Sequence, residues 1–358
     1  MNRIIFGGGF DPIHLGHINM ALVAKKALKG EVIFVPAQVA VWKEESVSKE
    51  HKLAMIKLAI ANYDGFSIDE YELKQKEQPR SYQTVAYFKK KYPNDKLFFL
   101  IGQDQVNSFD QWANPEEIAK NAQIVYYKRP KYVANQANVD KFHMKAIEGP
   151  VVDVSSSDIR NLKSLAISED VLKYIEDNNL YFINKIRPMM KEKRFEHSLS
   201  VAHLAYSIAK KHHLDYQKAY IAGILHDIAK DIDKNESLAL MKQFYPEYVQ
   251  VGAFSYHQFL GEKVAKEQFG ITDEEILGAI KYHTTGKDNM NWLEKLIYAA
   301  DKMDPTRGYD SSKLIEAMEE DLESGFVIVL IANSDYLSGK QVKTNNKLTE
   351  ACVNFYLK

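Results

Sequence analysis

Two stretches of this chain carry residue types at spacings that suit phosphate chemistry. In Gly7-Gly8-Gly9-Phe10-Asp11-Pro12-Ile13-His14-Leu15-Gly16-His17, the glycines let backbone approach an anion closely. A helix opening near His14 to Gly16 would add free N–H groups and the positive end of its dipole. His14 and His17 lie three apart, so both rings face one side of a first helical turn. Two imidazoles aimed at one phosphate offer N–H donors whose pull grows as charge builds in a transition state. Further along, Ser155-Ser156-Ser157-Asp158-Ile159-Arg160 would start a helix with exposed hydroxyls and N–H groups, while Arg160 supplies a forked cation for a leaving pyrophosphate.

The second constellation is a set of polar residues on apolar faces. His197 shares a face with Val201, Leu204 and Ile208, at spacings of four, seven and eleven. His226 and Asp227 sit in Ile221-Ala222-Gly223-Ile224-Leu225-His226-Asp227-Ile228-Ala229, which is apolar nearly all round. His257 keeps register with Leu260 and Val264, His283 with Ile276, Ala279 and Ile280, and Asp301 with Leu293, Ile297 and Ala300. A buried carboxylate is costly unless something pairs it. Two such aspartates and four such histidines, converging from separate helices, call for a cation. Imidazole with carboxylate suits Fe, Mn or Zn, and the absence of a thiolate argues against a structural zinc site. Adjacent helical residues diverge by about 100°, so His226 and Asp227 can share one ion only at the edge between them. The other histidines, His51, His143, His203, His212 and His213, lack this support and read as structural or surface residues.

These side chains need elements to hold them, and 358 residues exceed one typical core, so two domains are expected. Through about residue 160, apolar runs at Ile4–Phe6, Val32–Val35, Leu97–Ile101, Ile124–Tyr127 and Val151–Val154 alternate with helical patterns at 15–28, 51–62 and 82–92. That alternation predicts an α/β domain with a doubly wound parallel sheet. After about 184 the strand patterns stop, and 194–212, 217–230, 257–269, 273–283 and 292–303 read as helices of an all-α domain. The expected division is 1–183 and 184–358, with a tight junction after Tyr181. Residues 310–358 carry an amphipathic helical pattern without a site residue. The 47 basic and 48 acidic residues nearly cancel, which gives no electrostatic case for a nucleic-acid or membrane partner. Cys352 is the single cysteine, so disulfides within the chain are excluded and a reducing, cytoplasmic setting is expected. The longest apolar run, Phe326 to Ala332, is too short to span a bilayer.

With its Gly-rich string and Ser155–Arg160, the first half resembles the nicotinate mononucleotide adenylyltransferase family, over roughly residues 1–182. Ser81-Tyr82, Ile101-Gly102-Gln103-Asp104, Trp112, and Val171 to Tyr181 follow in the family's order. The resemblance implies catalysis by His14, His17 and Arg160. It implies nucleotide binding by Gly8, Gly9, Phe10, Gly102, Asp104, Ser155, Ser156, Ile159 and Arg160, and acceptor binding by Tyr82, Thr84 and Trp112. The implied reaction is attack of a mononucleotide phosphate on the α-phosphorus of ATP, with Mg²⁺ bridging the ATP phosphates. Gly9 stands where the family has Thr or Ser, Val39-Ala40-Val41-Trp42-Lys43 where it reads Pro-Pro-His-Lys, and Ser81-Tyr82-Gln83-Thr84 shortens its Ser-Tyr-Thr-x-Asp-Thr. The last two departures lie on the acceptor side, so the resemblance bears more on adenylyl transfer than on nicotinate over nicotinamide.

Arg194-Phe195-Glu196-His197, Leu225-His226-Asp227-Ile228-Ala229-Lys230, Tyr282-His283-Thr284-Thr285-Gly286 and Ala300-Asp301 resemble the HD superfamily of metal-dependent phosphohydrolases. They are closest to the bacterial branch that hydrolyses symmetrical dinucleoside tetraphosphates. The resemblance implies His197, His226, Asp227 and Asp301 around iron or a similar metal, with Asp227 also catalytic. It implies a second metal or substrate phosphates at His257 and His283, and phosphate contacts from Arg194, Lys230 and Arg307. The expected protein is therefore bifunctional, acting on ATP, nicotinate mononucleotide and diadenosine tetraphosphate. Two rivals are a helical half that senses nucleotides without hydrolysis, and a first half that transfers AMP or CMP to another phosphate acceptor.

Overall fold

The computed structural model describes residues 1–38, 47–129, 132–339 and 346–358. Val39 to Lys43 lie outside them. The chain divides into two compact units, Met1–Arg160 with Ser164–Tyr181, and Asn161–Lys163 with Phe182–Lys358.

Among the described residues, the first unit is built on six parallel strands: β1 (Asn2–Gly8), β2 (Glu31–Pro36), β3 (Phe66–Ile68), β4 (Lys96–Gly102), β5 (Gln123–Tyr127) and β6 (Lys145–Ile147). Their spatial order, β3-β2-β1-β4-β5-β6, turns back between β1 and β4. Ligands in such sheets collect beyond the carboxyl ends of the strands at that reversal, and β1 delivers the glycine string there. Ile4, Ile5, Val32, Phe34, Ile124 and Val125 are buried on both faces of the sheet, which explains their unbroken apolar runs.

One expected strand needs correcting, and two strands were not expected. Val151–Val154 is not a strand; Val151 and Val152 are 40% and 37% exposed. The sixth strand is Lys145-Ala146-Ile147, paired with Val125–Tyr127. An apolar run without a neighbouring edge to pair with stays irregular, while a less apolar triplet beside β5 is recruited. Strand β3 is only three residues long and carried no periodic signal.

Among the described residues of the second unit, regular structure is helical. Helices Glu192–Lys211, Tyr216–Leu225, Tyr256–Gln268, Glu274–Tyr282 and Trp292–Met303 correspond to the five predicted segments. The second of these ends at Leu225, not near residue 230, and His226 to Lys230 form turns. Gly223 lets this helix cross the Glu192–Lys211 helix closely: a Cβ there would lie 2.6 Å from the Cα of Ala202. Among the described residues, no helix is long and apolar enough to cross a membrane.

Candidate functional sites

At the end of β1 the chain turns through Gly8, Gly9 and Phe10 into the Leu15–Leu28 helix, which His14 caps. The cap is reciprocal: His17 N–H donates to His14 Nδ1 at 3.4 Å, and His14 N–H donates to His17 Nδ1 at 3.3 Å. Each ring thus accepts at Nδ1, which leaves the proton of a neutral imidazole on Nε2. The rings stack with centroids 3.7 Å apart, so two neutral imidazoles lie face to face at the helix start. Burial, then Arg129, holds His14 down at about 4, and burial, then His14 and Arg129, pulls His17 well below the usual value. Both are therefore neutral donors at physiological pH. Phe10 packs edge-on to His17 at 4.9 Å and seals the floor. A Cβ on Gly9 would meet nothing within 4 Å, so the space over the turn is open to a ligand.

The Ser155–Arg160 motif reaches the same turn. Ser156 Oγ donates to the Pro12 carbonyl at 2.8 Å, and Arg160 Nη1 donates to the Asp11 carbonyl at 2.7 Å. Ser155 and Asp158 bond each other, Ser155 Oγ donating to the Asp158 carboxylate at 2.6 Å. Ile159 is wholly buried, so its side chain belongs to the core. Gly102 ends β4, and Asp104 follows it, 3.7 Å from Arg129. Arg129, just past β5, was not singled out in the sequence, yet its charge acts on both histidines. Its signal was a lone arginine beyond the carboxyl end of a strand.

Tyr82, Thr84 and Trp112 make other contacts. Tyr82 and Trp112 pack on the core around Phe99 and Phe109. Thr84 is 1% exposed and its hydroxyl donates to Glu72 at 2.6 Å, a buried pairing that offers a ligand no free hydroxyl.

In the second unit, four histidines and two aspartates meet. His226 Nδ1 donates to the Gly223 carbonyl at 2.7 Å, and His283 Nδ1 to the Ile280 carbonyl at 2.8 Å. His197 Nδ1 lies 2.5 Å from Asp304. Each ring is thus fixed with Nε2 turned to a common space. His226 Nε2 is buried without a hydrogen-bond partner, at 3.7 Å from Asp301 Oδ1 and 4.0 Å from Asp227 Oδ2. An orphaned lone pair facing two carboxylates is what a cation would satisfy. Asp227 Oδ1 faces His257 Nε2 at 3.2 Å and His283 Nε2 at 3.4 Å. Donors sharing one ion at about 2.1 Å bond length lie roughly 3–3.5 Å apart. Two clusters bring their candidate donor atoms within 4.8 Å of one another, His197–His226–Asp227 and Asp227–His257–His283, with Asp227 common to both. The residues present fit one or two divalent metals.

The charges agree with that fit. Burial alone would raise Asp301, but the Lys302 ammonium, His197 and Arg307 hold it well below the carboxylate range. Asp227 is likewise held down against burial by His226, His257 and His283. Burial keeps His283 neutral, lowered to about 3, and lowers His257. His197 is the exception: Asp301 and Asp304 overcome burial and raise it to about 9, so a cation binding there displaces a proton. Arg194 Nη1 donates to Asp227 Oδ2 at 2.5 Å, and Arg307 Nε donates to the Asp301 carbonyl at 2.7 Å. Lys230 Nζ approaches His257 Nε2 at 2.9 Å. Asp304 and Lys302 are the residues that sequence reasoning missed. Lys302 Nζ bridges Asp301 Oδ2 at 3.0 Å and the His283 carbonyl at 2.7 Å.

Residues 5–162 match the cytidylyltransferase-like family, and residues 194–306 match the HD domain. A Mycoplasma genitalium protein named probable nicotinate-nucleotide adenylyltransferase/Ap4A hydrolase is 32% identical over 339 residues, covering 91% of this chain and 96% of that protein. A Mycoplasma pneumoniae protein of the same name is 31% identical over 341 residues, covering 91% and 97%. A solved HD superfamily hydrolase from Clostridium acetobutylicum, described as involved in NAD metabolism, is 31% identical and covers 49% of this chain and 96% of its own, with a TM-score of 0.45. The chain belongs to the family of these two Mycoplasma proteins, in which a cytidylyltransferase-like unit precedes an HD domain.

Proposed function

We propose that the first unit transfers AMP from ATP to nicotinate mononucleotide, releasing pyrophosphate and deamido-NAD, and that the second hydrolyses diadenosine tetraphosphate to two ADP. The observation that carries this reading is likeness along almost the whole chain to proteins named for both activities. In the first site no covalent nucleophile is needed. The Nε2–H groups of His14 and His17 hold the reacting phosphate and strengthen as its oxygens gain charge. Arg129, whose charge acts on both rings, adds a cation to the site, and Arg160 and Ser156 keep the turn in place. Mg²⁺ accompanies the ATP phosphates in this reading.

In the second site His197, His226, Asp227 and Asp301 hold iron or a similar divalent metal, and Asp227, His257 and His283 hold a second one or the substrate phosphates. The metal supplies Lewis acidity toward phosphate and water. Asp304 orients His197, Lys302 and Arg307 orient Asp301, and Arg194 orients Asp227. Lys230, next to Asp227 and His257, offers a cation to an incoming phosphate. A cytoplasmic setting accords with the single, buried cysteine.

The test is anaerobic turnover of diadenosine tetraphosphate by the full chain with Fe²⁺ or Mn²⁺, alongside pyrophosphate release from ATP with competing mononucleotide acceptors. Two ADP per substrate, lost in a folded Asp227→Ala variant, support the hydrolase. Metal binding without turnover would overturn that substrate and favour nucleotide sensing. A preference for another acceptor would overturn the first assignment.

A further inference from the structure

The turn that presents His14 is held from far along the chain. Phe10 sits at φ +44°, a left-handed conformation costly for a side chain with a Cβ. Such a turn persists where its surroundings fix it, and here three contacts do so. Arg160 grips the Asp11 carbonyl and Ser156 the Pro12 carbonyl. The third is Tyr181, whose hydroxyl donates to Asp11 Oδ1 at 2.6 Å across 170 residues of sequence. Tyr181 is the last residue of the first unit and only 7% exposed. Its own backbone is left-handed, at φ +53°, so the ring is aimed by a specific local bend. Burial and the Asp11 carboxylate both push its pKa up, so the phenol is a donor at every working pH.

Lys52 adds a fixed charge to the same neighbourhood. It is 1% exposed, donates to the Ala37 carbonyl at 2.8 Å, and its charge is supported by Asp11 against burial. Ala37 N–H in turn donates to the Gly8 carbonyl at 2.9 Å. Asp11 therefore bonds a buried phenol and interacts with the charge of a buried ammonium.

We propose that Tyr181 is a positioning residue of the adenylyl-transfer site: its hydrogen bond to Asp11 sets the Phe10-Asp11-Pro12 turn and thereby the place of the histidine pair. This rests on the adenylyl-transfer reading of the first unit. Asp11 then acts as the turn's anchor, and Tyr181, in the bend that follows the Glu169–Asp177 helix, belongs to the working parts of the site.

The test is Tyr181→Phe in the full chain, which removes one hydroxyl and keeps the ring. Wild-type turnover of ATP with nicotinate mononucleotide reports on the underlying reading. Amide hydrogen exchange of the Gly7–His14 segment reports on the proposal whatever the substrate. The variant should exchange faster in that segment while the sheet is unchanged. Its kcat should fall about 10–100-fold with KM for ATP held within about threefold, the split expected of misplaced groups and not of lost binding. Diadenosine tetraphosphate hydrolysis should match wild type. Unchanged exchange with kcat within about twofold of wild type overturns the proposal. So does faster exchange spread over the whole unit, because the hydroxyl then serves stability alone.

Discussion

The backbone of Gly16 passes so close under His14 that a Cβ there would lie 3.0 Å from both Cε1 and Nδ1 of the ring, and 3.2 Å from Val154. The glycine between the two histidines is thus a steric requirement of their stacking.

Gly16→Ala should push His14 off its cap and separate the two Nε2–H donors. Adenylyl transfer is expected to fall by about two orders of magnitude, the usual scale for a catalytic group displaced by roughly 1 Å. Diadenosine tetraphosphate hydrolysis should be retained. Steady-state rates for both reactions on one preparation check this, and near-normal transfer would show that the ring has room to move.

Asp304 is wholly buried and bonds His197, Ser200 and Thr306. Asp304→Asn puts a neutral amide against His197 Nδ1 and loosens the ring. Metal affinity should drop about 10–100-fold, read by metal titration of the apo-protein, with the Asp227–His257–His283 cluster still binding. An unchanged titration would remove Asp304 from the site.

Metal should also act as a folding ligand. Five buried titratable groups and the partly buried His197 face one another, and a cation that binds only the folded state stabilises by ~2.7 kcal/mol at a hundredfold excess over Kd. Chelation should therefore lower the melting temperature of the helical unit and abolish hydrolysis. Adenylyl transfer should return once Mg²⁺ is restored. A melting curve indifferent to chelator would contradict a metal held by these residues.

The first site should carry an acid-sensitive contribution. His14 is 4% exposed, and burial, then Arg129, lowers its pKa to about 4, with Asp158 opposing. Because the folded pKa lies below the unfolded one, the unfolded chain binds a proton that the native site refuses. Stability is full above about pH 6.5 and declines as pH falls toward about 4, by up to ~3 kcal/mol for this group. His17 shifts the same way. Thermal unfolding of the first unit between these pH values should show a smaller decline in His14→Gln than in wild type. Parallel declines would mean that His14 is not buried neutral.

What the sequence made legible was local. His197, His257, His283 and Asp301 announced themselves because helical periodicity places each on an apolar face, and the structure brings those faces together. The histidine pair was readable from a three-residue spacing. Asp304 was hidden because its partner His197 lies 107 residues away and nothing in Asp301-Lys302-Met303-Asp304 marks the contact. Arg129 follows a strand end like many surface arginines, and only the β4–β5 pairing brings that end beside the one that leads into Asp104. Residues 217–230 read as one helix because Ile228 and Ala229 continue the apolar pattern. The turn at His226 is set by tertiary packing, with His226 and Asp227 both in the core.

The clamp on the Phe10–Pro12 turn has a consequence for synthesis. Asp11 and Pro12 leave the ribosome early, but their partners Ser156, Arg160 and Tyr181 follow 144 to 170 residues later. At about 5–20 residues per second, the glycine turn waits roughly ten to thirty seconds for its last tether. A nascent chain stalled before Tyr181 therefore displays the most conspicuous motif of the protein without the contact that completes it.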